Sequence, residues 1–235
     1  MKVILLAGGF GTRLSEYTKT IPKPMVDIAG KPMLLHIMKQ YAKYGFKDFY
    51  IALGYKGEII KKFFNKKFFD WNINLIETGK NTMTGGRLKR LEPFLCKERF
   101  MLTYGDGVAD ININKLVEFH KSHRKTITFT GVHPSGRFGE FVEHENKVIT
   151  FSEKPDRGKA YINGGFMVFN KELLDYLTED ENCDLEIGPL VKLTKKGEVM
   201  VYKHTGSWEC MDHERDLTHL NNLWNNNQAF WKMWN

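Results

Sequence analysis

The N-terminal third of the chain alternates short apolar runs with segments whose apolar residues recur every three or four positions. Residues 3–6 and 49–53 are uninterrupted apolar runs, which predict buried strands. Between them, the apolar side chains at positions 34, 37, 38 and 41 fall on one face of a helix, with Pro32 in its first turn and Gly45 at its end. This alternation predicts a largely parallel sheet covered by helices, with ligands at the carboxyl ends of the strands.

The same two periodicities continue through the rest of the chain. They predict further strands at residues 73–77, 100–104, 127–131 and 148–151, and further helices around residues 59–64, 113–120, 173–177 and 217–224. A chain of 235 residues can bury one full α/β core, and no Ser/Pro/Gly-rich linker divides it. We therefore expect one domain over residues 1–235, with a helical tail from about residue 213.

Composition narrows the class of protein. No 18-residue apolar span and no signal peptide is visible, so we expect a soluble, cytoplasmic protein with no membrane partner. The three cysteines are widely spaced and form no CxxC pair, which favours plain reduced thiols over a zinc or redox site. His120 and His123 lie three residues apart, but no Cys or acidic residue has matching spacing, so a metal site there is disfavoured.

The net charge of +7 would suit a basic nucleic-acid-binding module, which is the alternative class. The lysines are dispersed rather than clustered, as in Lys61, Lys62, Lys66 and Lys67 on a predicted helix and its exit, and elsewhere they alternate with acidic residues. A solvated surface that attracts small anionic substrates explains this pattern better. We expect no nucleic-acid partner.

A glycine-rich turn follows the first predicted strand. Gly8, Gly9 and Gly11 allow positive φ angles and keep side chains away from the backbone amides, so the loop can cradle phosphates. Thr12 adds a hydroxyl donor, and Arg13 and Lys23 add two cations that could hold a triphosphate. The spacing is not GxGxxG, and Pro22 and Pro24 block the helix that a dinucleotide-binding motif requires, so a dehydrogenase is disfavoured.

The segment LAGGxGTRL followed by PKPM resembles the signature of the sugar nucleotidyltransferases. The later stretches NTMTGGRLKR, LTYGDGVAD, GRFGEF, FSEKP and INGGFMVFN, and the tail FWKMWN, are similar to the glucose-1-phosphate cytidylyltransferase branch of that family. The resemblance implies a three-layer α/β/α Rossmann-like fold with a central mixed, mostly parallel sheet. It also implies Mg²⁺-dependent transfer of CMP from CTP to a sugar 1-phosphate, with release of pyrophosphate and a CDP-linked product.

The resemblance also implies which residues bind the nucleotide. These are Leu6, Ala7, Gly8, Gly9, Gly11, Thr12, Thr84, Gly85, Arg87, Tyr104 and Gly105. Gly85 lets the backbone lie close to a flat base, and Arg87 can donate to the O2 acceptor that cytosine has and adenine lacks. The alternative for this stretch is an ordinary helix start with a solvated arginine.

Asp106 follows a predicted strand and lies between two glycines, where its carboxylate could point into a cleft and bind a hard cation. An Asp-Gly pair is more often only a turn. The resemblance supplies a second carboxylate, Asp212. Two aspartates together with the triphosphate suffice for Mg²⁺, which uses few protein ligands.

For the acceptor, the resemblance implies Gly139, Glu153, Lys154 and Asn163. Lys154 would hold the acceptor phosphate and joins Arg13 and Lys23 as a catalytic cation. No general base is predicted, because a phosphate monoester is already largely dianionic at neutral pH. Glucose 1-phosphate is the first expectation, with another sugar phosphate, a non-sugar phosphate, or UTP or GTP as the donor left open.

One segment departs from the resembled branch. Phe68 to Trp71 crosses directly to the third strand where the family carries a longer insertion associated with packing between subunits. We expect a homo-oligomer smaller than the family's larger assemblies. Trp231 and Trp234 are predicted to serve in packing or in subunit contacts. A catalytically inactive regulator is disfavoured because the charged residues are complete.

Overall fold

A computed structural model describes residues 1–65, 70–95, 99–134, 140–145, 147–152 and 161–234. The strands are β1 Lys2–Leu6, β2 Asp27–Ile28, β3 Lys31–Pro32, β4 Asp48–Leu53, β5 Asn72–Glu77, β6 Arg99–Tyr104, β7 Gly107–Ala109, β8 Ile127–Val132, β9 Glu140–His144, β10 Lys147–Ser152, β11 Ile162–Asn163, β12 Met167–Asn170, β13 Val199–Lys203 and β14 Trp208–Cys210. The α-helices are α1 Ser15–Thr18, α2 Met33–Lys43, α3 Gly57–Phe63, α4 Thr84–Arg90, α5 Ile113–His123, α6 Pro189–Lys195 and α7 Glu214–Asn225. Short 3-10 helices occupy Thr12–Leu14, Lys23–Met25, Glu92–Phe94 and Lys171–Tyr176.

The central sheet is mixed and mostly parallel, which confirms the predicted fold class. Strands β5, β4, β1 and β6 are parallel neighbours, and β13 lies parallel to β8 at the other side of the sheet. Strand β12 runs antiparallel between β6 and β8. The predicted helix at 173–177 was wrong in type, because Lys171–Tyr176 forms a 3-10 helix directly after β12.

Alternate residues of β1 enter two hydrophobic cores, one on each face of the sheet. Val3 and Leu5 belong to a core that also receives residues of α2, α5 and α7. Ile4 and Leu6 belong to a second core, which includes Leu88 of α4 and Leu193 of α6. A strand that is buried on both faces reads as a continuous apolar run, so the sequence pattern and the three-layer α/β/α architecture agree. In the described part of the chain, no helix is both long and apolar enough to cross a lipid bilayer.

The residues after α7 return to the first core. Trp231 is fully buried there, and its indole Nε1 donates to Nδ1 of His36 on α2 over 3.4 Å. Because Nδ1 is an acceptor, the proton of the neutral imidazole lies on Nε2, which donates to the carbonyl oxygen of Ile28 at 2.9 Å. The Trp224 and Trp234 rings also contact the His36 ring. Trp231 therefore serves in packing of the interior of the chain.

Burial of His36 predicts a loss of stability in mild acid. Burial lowers the pKa of His36 to about 4 from its ordinary value of 6.5. Between these two pH values the unfolded chain binds a proton that the folded chain does not, so the free energy of unfolding falls as pH decreases, by at most about 3 kcal/mol from this residue. We expect a His36→Gln variant to lose stability less steeply between pH 6.5 and 4 in urea unfolding. An unchanged slope would contradict the assignment.

Candidate active site

The parallel strands β1, β4 and β6 end at the same edge of the sheet, and a cavity of about 370 Å³ opens there. Its lining residues are Leu6, Gly8, Gly9, Gly11, Thr12, Arg13, Lys23, Pro24, Thr82, Met83, Thr84, Arg87, Tyr104, Gly105 and Asp106. This set brings together nine of the predicted nucleotide-binding residues: Leu6, Gly8, Gly9, Gly11, Thr12, Thr84, Arg87, Tyr104 and Gly105. Ala7 and Gly85 lie behind the lining, both buried.

The glycine-rich loop needs its glycines for specific contacts. Gly11 has φ +65°, and a Cβ atom there would lie 2.8 Å from the side chain of Thr18. The chain then enters the 3-10 helix Thr12–Leu14 and the short helix α1. The predicted block at Pro22 and Pro24 has a structural counterpart, since Lys23–Met25 forms only one 3-10 turn and directs Lys23 back toward the loop. The loop thus places two cations at one wall of the cavity.

A charged cluster lies at the mouth of the cavity. The Lys23 ammonium donates to Asp106 Oδ2 and to Asp212 Oδ1, each over 2.7 Å. Arg13 Nη1 donates to Asp212 Oδ2 at 2.5 Å. Asp212 reaches this position because β14 pairs antiparallel with β7, and the amide of Met211 donates to the carbonyl of Asp106. The structure therefore brings the two predicted metal-ligand carboxylates into hydrogen-bond contact with the same nitrogen atom, Lys23 Nζ.

Burial and charge determine the state of this cluster. The side chains of Lys23 and Asp212 are 12% and 15% exposed, whereas Arg13 is 67% exposed. Burial acts to lower the pKa of Lys23, but Asp106 and Asp212 outweigh it and hold that pKa above its ordinary value. Lys23 is thus a cation that neutralises two acidic side chains at the centre of the site, while Arg13 remains accessible to a bound anion.

The two aspartates fit a divalent cation that is also held by phosphate oxygens. Their oxygen atoms are close enough to share one cation, since both contact the Lys23 nitrogen. Among the described residues, no group of three or more His, Cys, Asp or Glu side chains forms a closed metal cage. An open pair of carboxylates is the arrangement that Mg²⁺ accepts when a substrate supplies further oxygen ligands.

Arg87 lines the cavity beneath the glycine-rich loop, but its side chain is buried rather than solvated. It is 4% exposed, and its terminal nitrogens donate to the carbonyls of Leu53, Gly79, Gly8 and Lys80 and to the hydroxyl of Thr78. A Cβ atom on Gly8 or Gly54 would lie within 2.4 Å of this guanidinium. Arg87 could donate to a base only by giving up one of these acceptors. The structure thus favours a supporting role over the predicted contact with cytosine.

This role changes the expected effect of Arg87→Ala. From the sequence, the substitution should impair CTP use more than folding. The structure predicts a loss of about 3–5 kcal/mol in the free energy of unfolding, because the change leaves buried carbonyls without donors. Arg87→Lys should recover less than half of this, since one ammonium cannot reach both sides of the fork. The control is Arg215→Ala, which removes an exposed arginine on α7. In urea unfolding, its free energy of unfolding should change by less than about 0.5 kcal/mol. A similarly small loss for Arg87→Ala would contradict the supporting role.

The acceptor predictions are only partly within the described residues. Gly139, Glu153 and Lys154 lie outside them, as do residues 66–69, which include Phe68 and Phe69 of the short crossing segment. Asn163 is described, and its Nδ2 donates to the Tyr104 hydroxyl at 3.2 Å. Asn163 is thereby linked to the cavity through a residue that lines it.

Glu186 was not identified from the sequence, although it accepts hydrogen bonds from Thr84 and Tyr104 at the cavity. Thr82 and Met83 also line the cavity, and both belong to the stretch NTMTGGRLKR. No local pattern marks Glu186, because its partners are 82 and 102 positions away in the chain. The paired histidines serve elsewhere: His120 and His123 both bond the hydroxyl of Thr128 on β8.

Comparison with known proteins places these features in one family. The Nucleotidyl transferase family profile matches residues 2–230. The chain is 44% identical to a glucose-1-phosphate cytidylyltransferase of Salmonella typhimurium and 40% identical to a probable glucose-1-phosphate cytidylyltransferase of Bacillus subtilis, each over the full length of both proteins. The crystal structure of HddC from Yersinia pseudotuberculosis with GMP-PN superimposes with a TM-score of 0.75 at 26% identity, covering 95% of this chain and 99% of that one.

Proposed function

This chain belongs to the nucleotidyltransferase family, and from that premise we propose that it transfers CMP from CTP to a sugar 1-phosphate, with glucose 1-phosphate as the acceptor. Pyrophosphate is the second product. The choice of CTP and glucose 1-phosphate rests on the activity that gives the two full-length relatives their names. The observation that carries the proposal is the charged cluster of Lys23, Arg13, Asp106 and Asp212 at the mouth of a glycine-lined cavity.

The geometry supports binding of a triphosphate. The glycine-rich loop leaves room for phosphate oxygens, and the accessible fork of Arg13 can bind two of them at once. The Thr12 hydroxyl lines the same wall. Asp212 holds Arg13 at the cavity before substrate arrives, so little reorganisation of this cation is needed when charge develops on the leaving pyrophosphate.

The proposed reaction is an in-line displacement at the α-phosphorus of CTP by an oxygen of the acceptor phosphate. The bond from the α-phosphorus to the bridging oxygen breaks, and pyrophosphate takes that electron pair. The acceptor needs no general base because its phosphate is already mostly ionised at neutral pH. Catalysis then consists of positioning two anions and neutralising their charge, for which Arg13, Lys23 and Lys154 are the proposed cations.

We propose that Asp106 and Asp212 hold the divalent cation of this reaction, with Mg²⁺ as the expected metal. When bound, the cation would neutralise phosphate charge and orient the α-phosphate. Lys23 bridges the same two carboxylates and provides a positive charge between them. We propose that its ammonium moves from the carboxylates to a phosphate oxygen when the nucleotide binds.

The test is pyrophosphate release, measured with CTP, UTP, GTP and dTTP against a panel of sugar 1-phosphates and small non-sugar phosphates, with and without Mg²⁺. We expect release with CTP and glucose 1-phosphate only when the metal is present. The related structure with GMP-PN makes GTP a necessary arm of the test. Release with CTP and a different phosphate would show that the acceptor is not glucose 1-phosphate. Release with GTP alone would overturn the choice of CTP as the nucleotide donor.

A further inference from the structure

The Glu186 carboxylate accepts one hydrogen bond on each of its oxygens, and both come from side chains that line the cavity. Oε1 accepts from the Tyr104 hydroxyl at 2.5 Å, and Oε2 accepts from the Thr84 hydroxyl at 2.6 Å. Tyr104 ends β6, and Thr84 begins α4. Glu186 itself lies in the segment before α6 and is not among the residues that line the cavity. The Glu186 carboxylate thus connects the end of β6 to the start of α4 from a position outside the cavity lining.

Further hydrogen bonds fix the direction of both hydroxyl donors. The Tyr104 oxygen accepts from Asn163 Nδ2 at 3.2 Å, so its own hydrogen is directed to Glu186. The Thr84 oxygen accepts from the amide of Leu185 at 3.0 Å, so its hydrogen is also directed to Glu186. The Asn163 amide is oriented in turn, because its oxygen accepts from the amide of Gly165. The chain of contacts therefore runs from Asn163 through Tyr104 and Glu186 to Thr84.

We propose that Glu186 is a positioning residue that couples the nucleotide side of the site, at Thr84 and Tyr104, to the acceptor side, at Asn163. This inference rests on the proposed function and on the predicted contacts of Thr84 and Tyr104 with the nucleotide and of Asn163 with the acceptor. Because the two hydroxyls donate to different oxygens of Glu186, both of its oxygens must be acceptors to hold both donors in this geometry. A glutamine of the same size offers one acceptor and one donor, so it must turn one hydroxyl away.

The chemistry of the buried contacts supports this role. Hydrogen bonds from hydroxyls to a carboxylate are short and stronger than those between neutral groups. Burial raises the pKa of Glu186, and hydrogen bonds from Thr84 and Tyr104 oppose that rise by favouring the ionised form. Burial and the neighbouring carboxylate also raise the pKa of Tyr104, which keeps its hydroxyl protonated as a donor.

The test is a double-mutant cycle on steady-state kinetics. The variants are Glu186→Gln, Tyr104→Phe and the pair, with KM for glucose 1-phosphate, KM for CTP, kcat and the thermal midpoint measured for each. We expect Glu186→Gln alone to raise the acceptor KM about tenfold, and to change it less than about twofold when Tyr104 is already Phe. Glu172→Gln, which alters an exposed carboxylate, should leave all four quantities unchanged.

The outcomes separate the inference from the proposed function. If the wild-type protein shows no turnover of CTP, the proposed function is overturned and this inference falls with it. If the wild-type protein is active but the effects of Glu186→Gln and Tyr104→Phe multiply, only the coupling is overturned. Should Glu186→Gln not fold, Thr84→Val and Tyr104→Phe provide the same test. With Glu186 as the link between these two side chains, their combined effect should be smaller than the product of the single effects.

Discussion

Asp106→Asn should reduce turnover by at least about 10³-fold while the protein remains folded. The substitution keeps the shape of the side chain but removes the negative charge that a divalent cation requires. It also removes one of the two carboxylates that hold the Lys23 ammonium. The measurement is kcat/KM for pyrophosphate release at saturating Mg²⁺, together with a urea unfolding curve to show that the fold is intact.

Asp70→Asn is the matched control for this substitution. Asp70 also accepts a hydrogen bond from a lysine, Lys47, over 2.6 Å, but the aspartate side chain is 70% exposed and lies away from the cavity. We expect its kcat/KM to equal that of the wild type. Near-normal turnover in Asp106→Asn would exclude Asp106 as a metal ligand and leave the proposed role of the charged cluster without support.

Lys23→Met should lower kcat/KM by about 10³-fold and should also destabilise the protein in the absence of metal. Without the ammonium, Asp106 and Asp212 lie close together with no shared cation between them, which we expect to cost about 2 kcal/mol in the free energy of unfolding. Added Mg²⁺ should restore more of this stability in the variant than it adds to the wild type, because the metal replaces the missing charge.

The stabilisation by Mg²⁺ is measured by urea unfolding without the metal and with Mg²⁺ at ten times its dissociation constant. At that concentration, binding to the folded state alone should raise the free energy of unfolding by about 1.4 kcal/mol. Lys47→Met removes the lysine of the exposed ion pair and serves as the control, with no expected change in activity or in the response to Mg²⁺. An equal response of Lys23→Met and the wild type to Mg²⁺ would contradict a shared cation position.

Local pattern was sufficient to predict much of the fold but not all of it. Strand β1 and helix α2 were predicted because their burial shows in the spacing of apolar residues over a few turns. The antiparallel direction of β12 depends on its pairing with β6, about 70 residues earlier, and no local spacing encodes that choice. The 3-10 helix Lys171–Tyr176 shows the same limit, since a leucine pattern alone does not fix the type of helix.

In the site, features that depend on residue type could be predicted from the sequence, whereas contacts with distant partners could not. Glycines beside cations predicted a loop of the site, and these residues do line one cavity, because the prediction depended on residue type and close spacing. The partner of Arg87 could not be predicted, since it bonds to backbone carbonyls that every residue carries. Asp212 came from the resemblance alone: it meets Lys23 across 189 positions through the β7–β14 pair.

The contact between Trp231 and His36 has a consequence for synthesis of the chain on the ribosome. His36 is translated 195 residues before the tryptophan that contacts it, and Lys23 is translated 189 residues before Asp212. Until those late residues emerge, one core of the nascent chain lacks a large aromatic side chain and the two halves of the charged cluster are apart. A nascent chain in this condition exposes apolar surface, which chaperones recognise. Co-translational folding of this protein should therefore stay incomplete until Trp231 has left the exit tunnel.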